Sequence, residues 1–140
     1  MIDIPRDAIF ADSSFLFALI VRRDPFNAAA KAAYRAVSRD DRPIVTTNFV
    51  LVELHALMTN RVAASVATNA LFEIEAGDTI IVRVKEEDEA KAREILRQHT
   101  DKGYSLLDAT SFAVMRRLGI DSALSFDRHF VQFGWTVLSE

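Results

Sequence analysis

The chain has no cysteine among its 140 residues. That removes a disulfide scaffold, a thiolate nucleophile and a cysteine-built zinc site, and it fits a reducing compartment, with the cytoplasm as the default. No uninterrupted apolar run approaches the ~20 residues of a membrane span, and the opening Met1-Ile2-Asp3-Ile4-Pro5-Arg6-Asp7 lacks the apolar core of a signal peptide. A soluble chain with no membrane association is the expectation. Repeats and low-complexity linkers are missing too. A basic excess is also absent, since 17 Lys and Arg stand against 20 Asp and Glu for a net charge of −3. This argues against a sequence-indifferent nucleic-acid coat, yet leaves room for local Arg clusters around an acidic, cation-filled pocket.

What the chain does have is apolar content, 50% of its residues. At this length that suits a single domain over residues 1–140, able to bury roughly two thirds of its chain surface. Ala8-Ile9-Phe10-Ala11 reads as a short strand, and Asp12-Ser13-Ser14 supplies N-cap chemistry for a helix through Phe15 to Ile20. Arg22-Arg23-Asp24-Pro25 ends that helix, and an Ala-rich helix follows over Phe26 to Val37. Arg42 to Thr46 is a second strand, after which Thr47 or Asn48 caps a helix through Phe49 to Met58. A helix over Arg61 to Ala76, a turn at Gly77-Asp78 and a β-branched strand over Thr79 to Val84 come next. Glu86 to His99 is a charged helix with Ala90, Ala92, Ile95 and Leu96 as its inner face, its acids and bases read as a solvated surface. Residues 105 to 118 form a core helix ended by Gly119, Ser122 to Phe126 a buried strand, Arg128 to Phe133 a short helix and Trp135 to Leu138 a last strand. The order is β-α-α-β-α-α-β-α-α-β-α-β, an α/β fold with a mostly parallel sheet and helices on both faces.

Four carboxylates stand out in this layout. Asp12 follows the first strand, Asp127 follows the buried strand near the end, and Asp108 lies in the first turn of the core helix. Phe112 and Met115 share the face of Asp108, so it points along an apolar stripe. Glu53 interrupts the apolar face made by Phe49, Val50, Ala56 and Leu57. Each has a plain reading: Asp12 as an N-cap, Glu53 as half of a buried ion pair with an Arg. Together they sit where strand ends and helix starts face the ligand crevice of an open α/β sheet. Carboxylates converging within about 6 Å repel one another by roughly 3 kcal/mol per pair at an effective dielectric near 20. Such a cluster needs a cation, and all-oxygen donors suit Mg²⁺ or Mn²⁺. A carboxylate-held Mg²⁺ binds phosphate oxygens and activates water, which points to phosphodiester hydrolysis.

The segments Phe10-Ala11-Asp12-Ser13-Ser14, Thr47 to Leu54, Tyr104 to Ala113 and Ser125-Phe126-Asp127-Arg128-His129-Phe130 carry a resemblance that spans nearly the whole chain. The pattern resembles a PIN domain and, within that superfamily, the VapC-type toxins of bacterial type II toxin–antitoxin pairs. The resemblance implies a three-layer α/β/α sandwich on about five strands. It also implies a metal-dependent endoribonuclease acting on single-stranded RNA, with Asp12, Glu53, Asp108 and Asp127 as the metal-binding and catalytic set. A homodimer and a VapB-type antitoxin whose tail occupies the active-site groove belong to the same expectation. Asp12 and Asp108 are assigned as the most direct Mg²⁺ ligands (Mn²⁺ as substitute), with Glu53 and Asp127 completing the site directly or through water. Ser13 and Ser125 are candidates to contact a phosphate or orient a ligand, and equally good caps.

Other residues read more plainly. His129, beside Asp127 at a helix start, is taken as a cap or packed side chain and left outside the catalytic set. Asp101 is taken as turn chemistry. Arg22-Arg23, Arg116-Arg117 and Arg128 are candidate phosphate or partner contacts, with surface solvation as the simpler role. Competing classes fit less well. A response-regulator receiver needs an acidic pair after its first strand, where this chain has Asp12 followed by Ser13-Ser14, and a haloacid-dehalogenase-type phosphatase needs an aspartate where Ser14 stands. Two readings within the same fold stay open: a housekeeping nuclease of RNA maturation, and a catalytically silent protein-binding module.

Overall fold

The computed structural model describes residues 3–138; Met1 and Ile2 of the opening stretch lie outside the described residues, as do Ser139 and Glu140. Along them run β1 (Ile9–Ala11), α1 (Ser13–Ile20), α2 (Asn27–Arg39), β2 (Ile44–Thr47), α3 (Asn48–Arg61), α4 (Ala64–Ala76), β3 (Ile80–Val82), α5 (Glu86–Gln98), α6 (Leu106–Leu118), β4 (Ser122–Leu124), α7 (Arg128–Phe133) and β5 (Thr136–Leu138). The succession is the expected one. Boundaries differ in detail: α3 continues to Arg61 and α4 begins only at Ala64.

The five strands form one sheet in the order β3-β2-β1-β4-β5, and every pairing is parallel. Phe10 sits beside Val45 on one side and Ala123 on the other, so β1 is the central strand. A parallel strand covered on both faces must be apolar throughout, and Ile9, Phe10 and Ala11 are all completely buried. The edge strand β3 is only half-buried. The chain builds outward from β1 to β3, then α5 and α6 carry it back to the far side of β1 to lay down β4 and β5. Right-handed crossovers therefore place α1 to α4 on one face and α5 to α7 on the other. Helix contacts within each face agree, α1 with α2 and α3, α3 with α4, and α5 with α6, while α3 also meets α6. The direction of winding reverses between β1 and β4, where an open α/β sheet leaves a crevice at its carboxyl edge.

Local chemistry sets the helix ends beside that crevice. Asp12, Thr47, Ser105 and Asp127 each accept a backbone N–H of the following helix through a side-chain oxygen. At the other end of α6, Gly119 takes φ 71°, and Ile120 N–H returns to Met115 O at 3.0 Å. A side chain at that left-handed position would cost about 1 kcal/mol or more. Beneath α6 an aromatic cluster fixes its position. Phe112, fully buried, stacks on Phe133 at 4.3 Å between ring centroids and meets Phe130 edge-on at 5.0 Å. Burying a ring of this size contributes roughly 2–3 kcal/mol, with aromatic geometry adding a further fraction.

One charged residue of α5 departs from the solvated surface expected for that helix. Ala90 is exposed, whereas Asp88 is buried. Asp88 Oδ1 and Oδ2 accept from Arg117 Nε and Nη2 at 2.8 and 2.9 Å, and Oδ2 also accepts the Lys85 N–H at 2.8 Å. Arg117 is thereby committed to joining α6 to the start of α5. Burial alone would raise the Asp88 pKa, but the Arg117 and Lys85 hydrogen bonds outweigh it and hold the carboxyl below its ordinary value. Arg116 lies over the Phe133 ring at 4.7 Å, so it too has a packing role.

Candidate active site

The four singled-out acids line one cavity of about 290 Å³. Asp12 arrives there because it is the first residue beyond β1, and Asp127 because it caps α7 just after β4, so the two flank the point where the sheet reverses. Glu53 reaches the cavity from α3, and Asp108 from the first turn of α6. Leu57, Val50 and Phe130 supply apolar walls.

Asp12 is held on every side. Its Oδ1 accepts from Ser14 Oγ at 2.7 Å and from Phe15 N–H at 3.0 Å, and its Oδ2 accepts from Ser125 Oγ at 2.7 Å. The two serines are themselves fixed, because Ser14 Oγ accepts from Phe126 N–H and Ser125 Oγ from Asp127 N–H, both at 2.9 Å. This network ties the end of β1 to the segment after β4. Burial pushes the Asp12 carboxyl from 3.8 up to about 6; the three hydrogen bonds oppose the rise and the Asp127 charge adds to it.

Asp108 occupies the third position of α6, where its Oδ2 accepts the Ser105 N–H at 3.0 Å while Ser105 Oγ accepts the Asp108 N–H at 3.0 Å. Such a reciprocal pair fixes both the helix start and the carboxylate. Asp127 Oδ1 accepts the His129 N–H at 2.9 Å. Asp12, Asp108 and Asp127 thus stand at the positive ends of three helix dipoles, which partly offset the crowding of negative charge. Among the described residues no Lys or Arg lies within 4.0 Å of any of the four acids, so the buried ion pair that a plain reading gave Glu53 is not found.

Two residues that the sequence alone did not place in the site, Ser14 and His129, belong to it. Ser13 lines the cavity but hydrogen-bonds to none of the acids; Ser14 does. Adjacent serines in a helix start look alike in sequence, and only the helical turn decides which faces the carboxylate. His129 directs Nδ1 at Asp108 Oδ2, 2.9 Å away, and at Asp127 Oδ1, 3.3 Å away. The available signal was its spacing, two residues past an acid that caps a helix. Of the basic candidates, Arg128 is exposed and Arg23 hydrogen-bonds to Arg61 O. Asp101 pairs with Lys102 at the surface, as turn chemistry expects.

Hard oxygen donors, no neighbouring cationic side chain and a carboxyl forced toward protonation together fit a divalent cation. Asp108, Asp127 and His129 offer three donor atoms all within 4.8 Å of one another, whereas Asp12 and Glu53 line the same cavity without joining such a group among the described residues.

A family model described as the PIN domain matches residues 9–135. Two relatives, the 23S rRNA-specific endonucleases VapC20 of Mycobacterium tuberculosis strains CDC 1551 / Oshkosh and ATCC 25618 / H37Rv, are each 36% identical over 132 residues. The match covers 91% of this chain and 95% of theirs. The crystal structure of the Mycobacterium tuberculosis VapC20, a sarcin–ricin loop cleaving toxin, superposes with a TM-score of 0.84 at 33% identity, over 92% of this chain and 97% of that one.

Proposed function

The chain belongs to the PIN-domain family, and on that premise we propose that it is a Mg²⁺-dependent endoribonuclease that cuts single-stranded RNA as the toxin of a type II toxin–antitoxin pair. The observation that supports the reading is that Asp12, Glu53, Asp108 and Asp127 line one cavity with, among the described residues, no Lys or Arg beside them. A protein-binding module has no use for such a set, and the buried Asp12 charge costs stability unless a cation neutralises it.

Asp12 and Asp108 are the most direct metal ligands in this reading, and Glu53 and Asp127 complete the set. When bound, the cation would neutralise charge on the scissile phosphate and activate the attacking water. The chain's own residues supply position. Ser14, Ser125 and Phe15 N–H fix both oxygens of Asp12, and Ser105 fixes Asp108, so neither carboxylate reorganises during the reaction. The N-termini of α1 and α6 aim their amide dipoles at the same cavity, which favours a phosphate there.

The substrate class follows from the relatives' named target: a single-stranded stretch within 23S rRNA is the substrate to try first. Two protein partners belong to the same reading, a second copy of the chain and a VapB-type antitoxin whose tail covers the groove. An apolar rim beside the acids supports a covering partner, since Val52 and Leu106 are exposed next to Glu53 and Leu107. Cytoplasmic action accords with the absence, among the described residues, of any helix long and apolar enough to cross a membrane.

The test is cleavage of 23S rRNA and of short single-stranded RNAs by purified protein, with Mg²⁺ and with EDTA, beside folded Asp12→Asn and Asp108→Asn variants. Cutting that needs the metal and vanishes in both variants is expected. Cutting that survives in either variant would place the chemistry elsewhere.

A further inference from the structure

Among the described residues, His129 is the one side-chain nitrogen that lines the cavity with the acids. Its ring is held in place by more than the acids it faces: Tyr104, itself buried, meets it edge-on at 5.3 Å and 86°. The backbone N–H of the same residue caps onto Asp127. With ring and backbone both pinned, Nδ1 faces Asp108 Oδ2 at 2.9 Å and Asp127 Oδ1 at 3.3 Å.

A hydrogen bond between Nδ1 and Asp108 Oδ2 accounts for the 2.9 Å contact but not for the simultaneous 3.3 Å approach to Asp127 Oδ1. Donor atoms that share an ion with bonds of about 2.1 Å at right angles stand about 3.0 Å apart. Both separations made by Nδ1 are close to that edge length. Asp108 Oδ2 and Asp127 Oδ1 each accept one backbone N–H, from Ser105 and His129, which leaves each oxygen a lone pair for a further partner.

We propose that His129 contributes its imidazole nitrogen to the metal site beside Asp108 and Asp127, so that the centre takes a mixed nitrogen and oxygen donor set and prefers a first-row transition ion such as Mn²⁺ to Mg²⁺. This rests on the reading of the cavity as a metal-dependent nuclease site and adds a ligand and an ion preference to it. The preference follows from the donors, since imidazole strengthens binding of transition ions while carboxylates alone serve Mg²⁺ well. Asp12 lines the same cavity, and its Oδ2, which accepts from Ser125, keeps a lone pair for a ligand.

Pulsed electron paramagnetic resonance of the full chain loaded with Mn²⁺, together with calorimetric titration of Mn²⁺ and Mg²⁺, tests this without depending on activity. The same measurements are made on His129→Asn, which keeps a hydrogen-bond donor near Nδ1 but has no imidazole, and on Asp108→Asn. The expected result is imidazole nitrogen modulation in the unaltered protein, its loss in His129→Asn, and Mn²⁺ binding weakened about tenfold or more in that variant, with a smaller loss for Mg²⁺. Mn²⁺ that binds and is lost in Asp108→Asn, yet shows no imidazole nitrogen in the unaltered protein, overturns the role of His129 and leaves the nuclease reading standing. Modulation that persists in His129→Asn overturns it equally. No binding of either ion to folded protein overturns both.

Discussion

Replacing Asp12 by Asn should stabilise the metal-free protein while it abolishes cutting. The amide keeps most of what Asp12 does for the fold. Its oxygen still accepts from Ser14 Oγ and Phe15 N–H, so the cap of α1 survives. Its NH₂ turns to Ser125 Oγ, whose own proton then swings toward Asp127 O, 3.5 Å away. What disappears is a buried negative charge. A carboxyl moved from 3.8 to about 6 costs the ionised folded state about 3 kcal/mol, at 1.36 kcal/mol per pH unit. Between those two values the folded chain holds a proton that the unfolded chain has released. Stability of the metal-free protein therefore falls as pH rises through that window, and the whole cost is felt above about pH 6. Urea unfolding in EDTA, from pH 4 to pH 8, compares the two proteins. Their stabilities should agree near pH 4 and separate to about 3 kcal/mol by pH 7.5, roughly 8 °C in Tm for a domain of this size. Excess Mg²⁺ should narrow the gap, because it stabilises only the protein that binds it. A difference that stays flat across the pH range would refute the assignment of Asp12 as a buried charge awaiting a cation.

Two further outcomes follow from the neighbouring contacts. Arg117→Ala strands the buried Asp88 carboxylate and should lower stability by about 3 kcal/mol or more, read by urea unfolding, while cutting per folded molecule stays unchanged because Arg117 touches no group of the cavity. Ser125→Ala removes a hydrogen bond that lowers the Asp12 pKa, so the acidic limb of the pH–rate profile should move to higher pH; a limb that stays in place would show that Asp12 ionisation does not govern the rate.

The order of elements was legible because each carries its own signal. Ile9 to Ala11 and Ser122 to Leu124 are short apolar runs bounded by polar residues, and Gly119 marks the end of α6. The carboxylates were legible for a different reason: each has a plain reading of its own, and it is their joint placement, three at strand ends or helix starts and one on an apolar helical face, that points to a site. Contacts made across long sequence separations were not legible. Ser125 meets Asp12 from 113 positions away, and His129 meets Asp108 from 21. Nothing in the spacing within either segment specifies those partners: the first depends on β1 and β4 lying side by side, the second on how α7 returns against the start of α6 after β4. The pairing of Asp88 with Arg117, 29 positions apart, was hidden in the same way and left α5 looking like a uniformly solvated helix.

Asp88 and Asp108 show why a capping role and a metal-binding role are not rivals. Both stand at the third position of a helix and both accept the N–H of the capping residue, Asp88 from Lys85 and Asp108 from Ser105. Both are buried. Local sequence cannot separate them, because the capping hydrogen bond uses only part of a carboxylate's capacity. The difference lies in what meets the remaining lone pairs. Asp88 meets the two-pronged Arg117 guanidinium, which completes its charge balance and leaves nothing for a ligand. Asp108 meets a histidine nitrogen and a cavity lined by three more acids. Arg117 lies on α6, the helix that Asp108 opens, so that one helix supplies the cation that closes the Asp88 site and the carboxylate that leaves the other open. The test that separates a structural acid from a functional one is therefore its countercharge rather than its hydrogen bond to the backbone.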